Sequence, residues 1–133
     1  MTAVIVGPDV EEMAETCITD SLASIGAAGW PVATEIPNPR PDRFVKFVVT
    51  GGRKRNLRIA NHLVIARVHR PKAEAVECSE VARGIAGVLE AAADTVPAVT
   101  KAAVESCERF DDPDLPEVAV YQAVVAWTIA IPV

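Results

Sequence analysis

The chain lacks basic residues over its first 39 positions, where six acidic residues stand without a single Lys or Arg. Aromatic residues are few, at 5%, and no apolar run reaches the roughly 20 residues that a membrane-spanning helix needs. The opening MTAVIVGPD has no basic n-region, and its apolar run is too short for a signal peptide. We therefore expect neither a membrane protein nor a secreted one.

Cysteine and histidine are too few and too widely spaced to indicate a disulfide framework or a metal site. Cys17, Cys78 and Cys107 are odd in number and form no C-x-x-C pair, which predicts three buried free thiols. His62 and His69 stand seven residues apart in a strand-like segment, and this spacing places them on opposite faces. We expect no metal and no cofactor.

Motifs of catalysis are missing as well. The stretch TGGRKRN has glycines beside a lysine but not the spacing of a phosphate-binding P-loop, and neither G-x-S-x-G nor H-E-x-x-H occurs. Asp111, Asp112 and Asp114 lack the twelve-residue loop of a calcium site, so they indicate a solvated turn. We expect no enzymatic activity.

What the chain does contain is enough apolar sequence for one compact domain, residues 1–133, of which half are hydrophobic. Apolar residues at helical spacing predict one helix from Val10 to Ile25, with Asp9 as N-cap and Gly26 as stop. A second helix is expected from Pro71 to about Ala93. Its predicted apolar stripe includes Val76, and its Gly84 and Gly87 are expected to pack closely on a sheet.

Alternating and β-branched segments predict the strands, and a proline-rich segment permits only one short edge strand before them. The pattern predicts an α+β fold in the order α-β-β-β-α-β-β, a mostly antiparallel sheet of about four to five strands with two helices on one face. Both faces of the last strand are apolar, which indicates a second covering layer or a protein partner. The expected strands are Ala33–Ile36, Arg43–Thr50, His62–Arg70, Val99–Phe110 and Val118–Ile131.

Charge is strongly segregated along the chain. Residues 1–39 carry a net −6, residues 40–72 carry ten basic residues and one acid, and residues 73–133 carry eleven acids and three basic residues, within an overall charge of −5. Four of the basic residues fall in a predicted loop of about ten residues, which exceeds the usual hairpin connection. They are Arg53, Lys54, Arg55 and Arg58.

The basic loop has three interpretations. It could contact nucleic acid phosphates, but no aromatic platform accompanies it and the chain is acidic overall. It could mediate self-assembly, because acidic groups such as Glu74, Glu77 and the 111–114 turn supply complementary charge for a head-to-tail contact. It could also be a solvated loop without a partner.

The stretch IPNPRPDRFVKFVVTGG, with the following polar loop and the strand NHLVIARVHR, resembles the tail terminator proteins of long-tailed (siphovirus-type) bacteriophages, especially those infecting actinobacteria. The resemblance covers nearly the whole chain, and its sharpest motif is Pro39 to Gly52. It implies a virion protein, assembled in the host cytoplasm, that forms a hexameric ring at the head-proximal end of the tail tube.

Such a ring ends tube polymerisation and joins the tail to the neck. The implied partners are other copies of the chain, the tail tube protein and a neck or connector protein, while genomic double-stranded DNA passes through the lumen without being read. The alternatives are a head completion or connector protein of the neck and, in a different class, a nucleic-acid-binding module.

Overall fold

A computed structural model describes residues 8–54 and 59–130, with residues 52–54 described by their backbone alone. Two helices and five strands follow one another in the predicted order. Among the described residues no helix combines the length and the apolar character that crossing a membrane requires. The helices are α1 (Val10–Ser21) and α2 (Ala75–Thr95), and the strands are β1 (Val32–Ala33), β2 (Phe44–Lys54), β3 (Ile59–Pro71), β4 (Val99–Arg109) and β5 (Val118–Ala130).

The strands form one sheet in the order β1-β2-β3-β5-β4. Every neighbouring pair is antiparallel except β1 with β2, which is parallel. Helix α2 packs across β3, β5 and β4, while α1 lies beside α2 and over β2. The predicted α+β fold, with both helices on one face of a mostly antiparallel sheet, is confirmed.

Helix α1 begins and ends where local sequence signals place it. The side chain of Asp9 accepts a hydrogen bond from the backbone N–H of Glu12 at 3.1 Å, which satisfies one of the free donors of the first turn. After Ser21 the chain tightens into a 3-10 turn, Leu22–Ile25, and Gly26 ends it in the left-handed region at φ 80°. The expected span is therefore confirmed, with its last turn in 3-10 form.

Helix α2 differs from the prediction at its start. Pro71 ends β3, a 3-10 turn follows over Lys72–Glu74, and the α-helix begins only at Ala75. Val76 is 69% exposed, so its predicted place in the apolar stripe is wrong. It lies two residues, about 200° around the helix, from the first buried residue of the stripe. That stripe consists of Cys78, Val81, Ala82, Ile85, Ala86, Leu89 and Ala92.

The two glycines of α2 have different surroundings, and neither meets the sheet. A Cβ added at Gly84 would lie 2.9 Å from Ile25 Cγ2, so this glycine makes room for the 3-10 turn after α1. Gly87 is exposed, and a Cβ there would meet nothing within 4 Å. The expected close packing of both glycines on the sheet is therefore wrong.

Replacing these glycines by alanine is expected to change stability in opposite ways. Gly87→Ala should raise the free energy of unfolding by about 1 kcal/mol, because alanine is the better helix former at an exposed position. Gly84→Ala should lose this gain, since the β-branched side chain of Ile25 must shift to admit the methyl group. Urea unfolding followed by circular dichroism measures both, and equal effects of the two substitutions would contradict the described packing.

The core between helices and sheet contains Trp127 at its centre. Its side chain is 1% exposed, and its indole N–H donates a hydrogen bond to the carbonyl oxygen of Leu89 at 2.8 Å. Since Trp127 belongs to β5 and Leu89 to α2, this bond joins the middle of the sheet to the longer helix. The indole satisfies its polar group there while burying a large apolar surface.

The three cysteines are not equally buried. Cys78 is fully enclosed and its Sγ donates to the carbonyl oxygen of Val68 at 3.2 Å. Burial raises the pKa of this thiol to about 11, so it stays protonated at neutral pH. Cys17 and Cys107 are only half-buried, and the expectation of three buried thiols holds for Cys78 alone.

Candidate assembly surface

The basic segment is a hairpin rather than a long loop. Strand β2 continues to Lys54 and β3 begins at Ile59, with Arg53 opposite Asn61 and Lys54 opposite Ala60. The predicted loop of about ten residues is therefore wrong, because the connection comprises only residues 55–58. We call residues 51–61 the basic hairpin.

Two of the four candidate site residues lie in the described part of the basic hairpin. The structure places the backbone of Arg53 and Lys54 in β2 and brings them next to each other at the end of the strand. Arg55 and Arg58 lie outside the described residues. The role of all four in assembly stays a prediction.

Two glycines explain why the sequence indicated an early end of β2. Gly51 has φ 91°, and a Cβ on it would lie 3.0 Å from the carbonyl oxygen of Asn61. The pairing shifts between Gly51 and Arg53, so Gly52 is an extra residue opposite β3. This is a β-bulge, in which the left-handed conformation suits glycine and the strand bends without ending.

The face of the sheet opposite the helices, here called the outer face, is arranged in cross-strand rows. One row joins Val48, Ile65 and Val124, and Val48 is 41% exposed. Leu63 and Ala126 lie in the next row towards the basic hairpin. No second layer of described residues covers these two rows.

On the other side of the apolar rows the outer face becomes polar and charged. Lys46, Arg67, Gln122 and Glu108 form one row, in which the guanidinium of Arg67 donates to Gln122 Oε1 at 2.9 Å. The same guanidinium lies 4.6 Å above the ring centre of Phe110. Arg67 is thus held in place by a hydrogen bond and by a cation–π contact. Lys101 of β4 adds an exposed positive charge near the hairpin end.

The last row of the outer face is covered by loops. His69 is 3% exposed and stacks on Phe44 with 4.2 Å between ring centres and 12° between the ring planes. Burial lowers the pKa of His69, so its imidazole is neutral at physiological pH. A cavity of about 300 Å³ lies over this row, between Ile36 and the acidic turn that begins at Asp111. At neutral pH the positive charge of this region therefore comes from lysine and arginine.

Glu74, one of the acids expected to complement the basic segment, has partners within the same chain. The carboxylate of Glu74 accepts from Arg43 Nε at 2.9 Å and from Arg70 Nε at 2.8 Å. These two arginines lower the pKa of Glu74, Arg43 being the larger cause. Glu74 thus ties the segment before β2 to the start of α2, and its role in a contact between copies stays a prediction.

The acidic turn is likewise engaged internally. Asp111 accepts from Arg109 Nε at 2.8 Å and from the backbone N–H of Val120 at 3.1 Å. Asp112 accepts from the backbone N–H of Asp114 at 2.9 Å, which closes the turn. The carboxylates of Asp111 and Asp112 therefore stabilise the turn itself. Glu77 on α2, another of the acids expected to complement the basic segment, is exposed.

Charge is segregated by layer as well as along the chain, and the sequence reasoning missed this. Acids on the solvent side of both helices form an acidic helix face, which includes one basic residue, Arg83. The sequence signal was available, since these acids all fall outside the apolar stripes of the two helices. The exposed acids are Glu11, Glu12, Glu15, Asp20, Glu77, Glu80, Glu90 and Asp94.

Comparison with known proteins relates the fold to a virus-like particle. One solved structure that the chain matches is a chain of the virion of a native gene transfer agent (GTA) particle, with a TM-score of 0.60. The match covers 82% of this chain and 84% of that one, at 13% sequence identity. No protein-family model and no curated protein matches the sequence. At this identity the likeness shows a shared fold.

Proposed function

We propose that the chain is a structural virion protein of the tail terminator type, which forms a hexameric ring at the head-proximal end of a phage tail. The observation that carries the proposal is the likeness to a virion chain over more than four fifths of both chains. The tail terminator role rests on the resemblance of Pro39 to Gly52 and its flanking strands to that family.

The charge distribution supports a role in assembly. An acidic helix face, a basic hairpin and an uncovered apolar outer face are what a subunit needs to bind copies of itself and a tube end. In the proposed ring these surfaces meet other subunits, the tail tube protein and a neck protein. Duplex DNA passes through the lumen without sequence-specific contacts, and the protein performs no catalysis and holds no cofactor.

Electron microscopy of gold-labelled protein mixed with separated heads and tail tubes of the same virion tests the proposal. We expect label at one end of each tube and rings in the protein alone. Label on the heads, with bare tubes, would instead indicate the head completion or connector alternative. A protein that binds neither heads nor tubes and stays monomeric would overturn the structural role.

A further inference from the structure

We propose that the exposed ridge of α2 in one copy docks on the apolar rows of the outer face in the next copy. The proposal rests on the proposed function, because it names the contact between neighbouring subunits of the ring. Val76 would pack on Val48 and Ile65, and Glu80 would face Lys46.

The ridge is the exposed side of α2, and its first residue is a large apolar one. Val76 is 69% exposed at the start of α2, the largest exposure among the large apolar side chains described. Glu80, Arg83, Gly87 and Ala91 continue the same side of the helix at spacings of three to four residues, and all are exposed. Beyond the charged pair Glu80 and Arg83, Gly87 carries no side chain and Ala91 only a methyl group, so this end of the ridge can approach a flat surface closely.

The outer face offers the matching surface. Its two apolar rows are built around Val48, Ile65 and Val124, of which Val48 is 41% exposed. Lys46 borders these rows directly, two residues before Val48 on the same side of β2. Its positive charge complements Glu80, which lies one turn after Val76 on the ridge.

Charge indicates that the occupant is a second copy in a head-to-tail arrangement. The charges described on the outer face are Lys46, Arg67, Lys101, Glu105 and Glu108, a small positive excess. Two outer faces brought together, or two helix faces, would therefore join surfaces of the same net sign. The acidic helix face on the outer face joins opposite net charges, and such a heterologous contact closes into a ring when the rotation permits.

Sedimentation velocity of three aspartate variants tests the contact. Val76→Asp alters the ridge, Val48→Asp alters the outer face, and Val104→Asp is the matched control, since Val104 is 39% exposed on β4 outside both surfaces. We expect the first two to weaken self-association at least about tenfold and the control to leave it unchanged. Val76→Asp and Val48→Asp proteins that assemble like wild type would overturn the proposal, as would a wild type that is monomeric at every concentration.

Mixing the two defective variants gives the sharper result. Val76→Asp retains an intact outer face and Val48→Asp an intact ridge, so the mixture should form one-to-one pairs that grow no further. A mixture that stays monomeric while wild type assembles would overturn the head-to-tail contact.

A charge exchange extends the test. Lys46→Glu should weaken association, and Glu80→Lys in the same chain should restore it, whereas a double variant weaker than both single ones would contradict the pairing. Tube-end binding is scored separately. A wild type that self-associates through these faces but ignores tubes would refute the terminator role while leaving this contact standing.

Discussion

A chain in which Arg53, Lys54 and Arg55 are replaced by glutamate is expected to fold normally but to lose most of its binding to neighbouring subunits and tube ends. Lysine and arginine side chains are mostly exposed in proteins, and exposed substitutions change the free energy of unfolding by no more than about 0.5 kcal/mol. Single exposed ion pairs contribute only about 0 to 1 kcal/mol, but in the proposed ring each contact repeats the loss. The loss should be largest at low salt, where charges are least screened.

The control for this variant reverses Arg40 and Lys72, two exposed basic residues outside both the basic hairpin and the ridge of α2. It changes the net charge in the same direction, so it separates the position of the charges from a general loss of positive charge. Light scattering behind a sizing column, with and without tail tubes, measures both proteins. Normal assembly of the hairpin variant, together with loss of a strongly salt-dependent affinity for duplex DNA, would favour the nucleic-acid interpretation instead.

Trp127→Ala is expected to have the largest effect on stability, a loss of about 3 to 5 kcal/mol in the free energy of unfolding. The substitution removes the indole from the core and deprives Leu89 of its bond to the sheet. Since domains are stable by only about 5 to 15 kcal/mol, the variant should be close to unfolding at ambient temperature. Urea unfolding followed by circular dichroism measures the effect.

Two further tryptophan variants keep this prediction testable. Trp127→Phe retains most of the apolar volume and loses only the N–H donor, so it should be clearly more stable than the alanine variant. Trp30→Ala is the matched control, because Trp30 is half-buried with Arg70 5.0 Å above its ring centre. Similar losses for the two alanine variants would contradict the central place of Trp127 in the core.

Local signals in the sequence were sufficient for most of the fold. Apolar residues at helical spacing, an N-cap at Asp9 and a stop at Gly26 determine α1 within one short segment. Alternation and β-branched residues likewise predicted β3 and β5 as strands. These features are readable because each depends on residues close together in the chain.

The features that sequence reasoning missed depend on partners distant in the chain. Nothing near Glu74 indicates that Arg43, 31 residues away, occupies its carboxylate. Val76 is an exception, since its angle on the helix, about 200° from Cys78, already places it outside the apolar stripe. For the candidate site, sequence could identify the basic residues and the apolar outer strand face but not the rows that join them.

The bulge at Gly52 affects the direction of the basic hairpin but not its charge. A bulge bends its strand and increases the local twist, so it sets the angle at which Arg53 and Lys54 continue β2. Deleting Gly52 would straighten β2 and redirect the hairpin while leaving every charged residue and every cross-strand partner in place. The direction of this segment and its electrostatic strength can therefore vary independently.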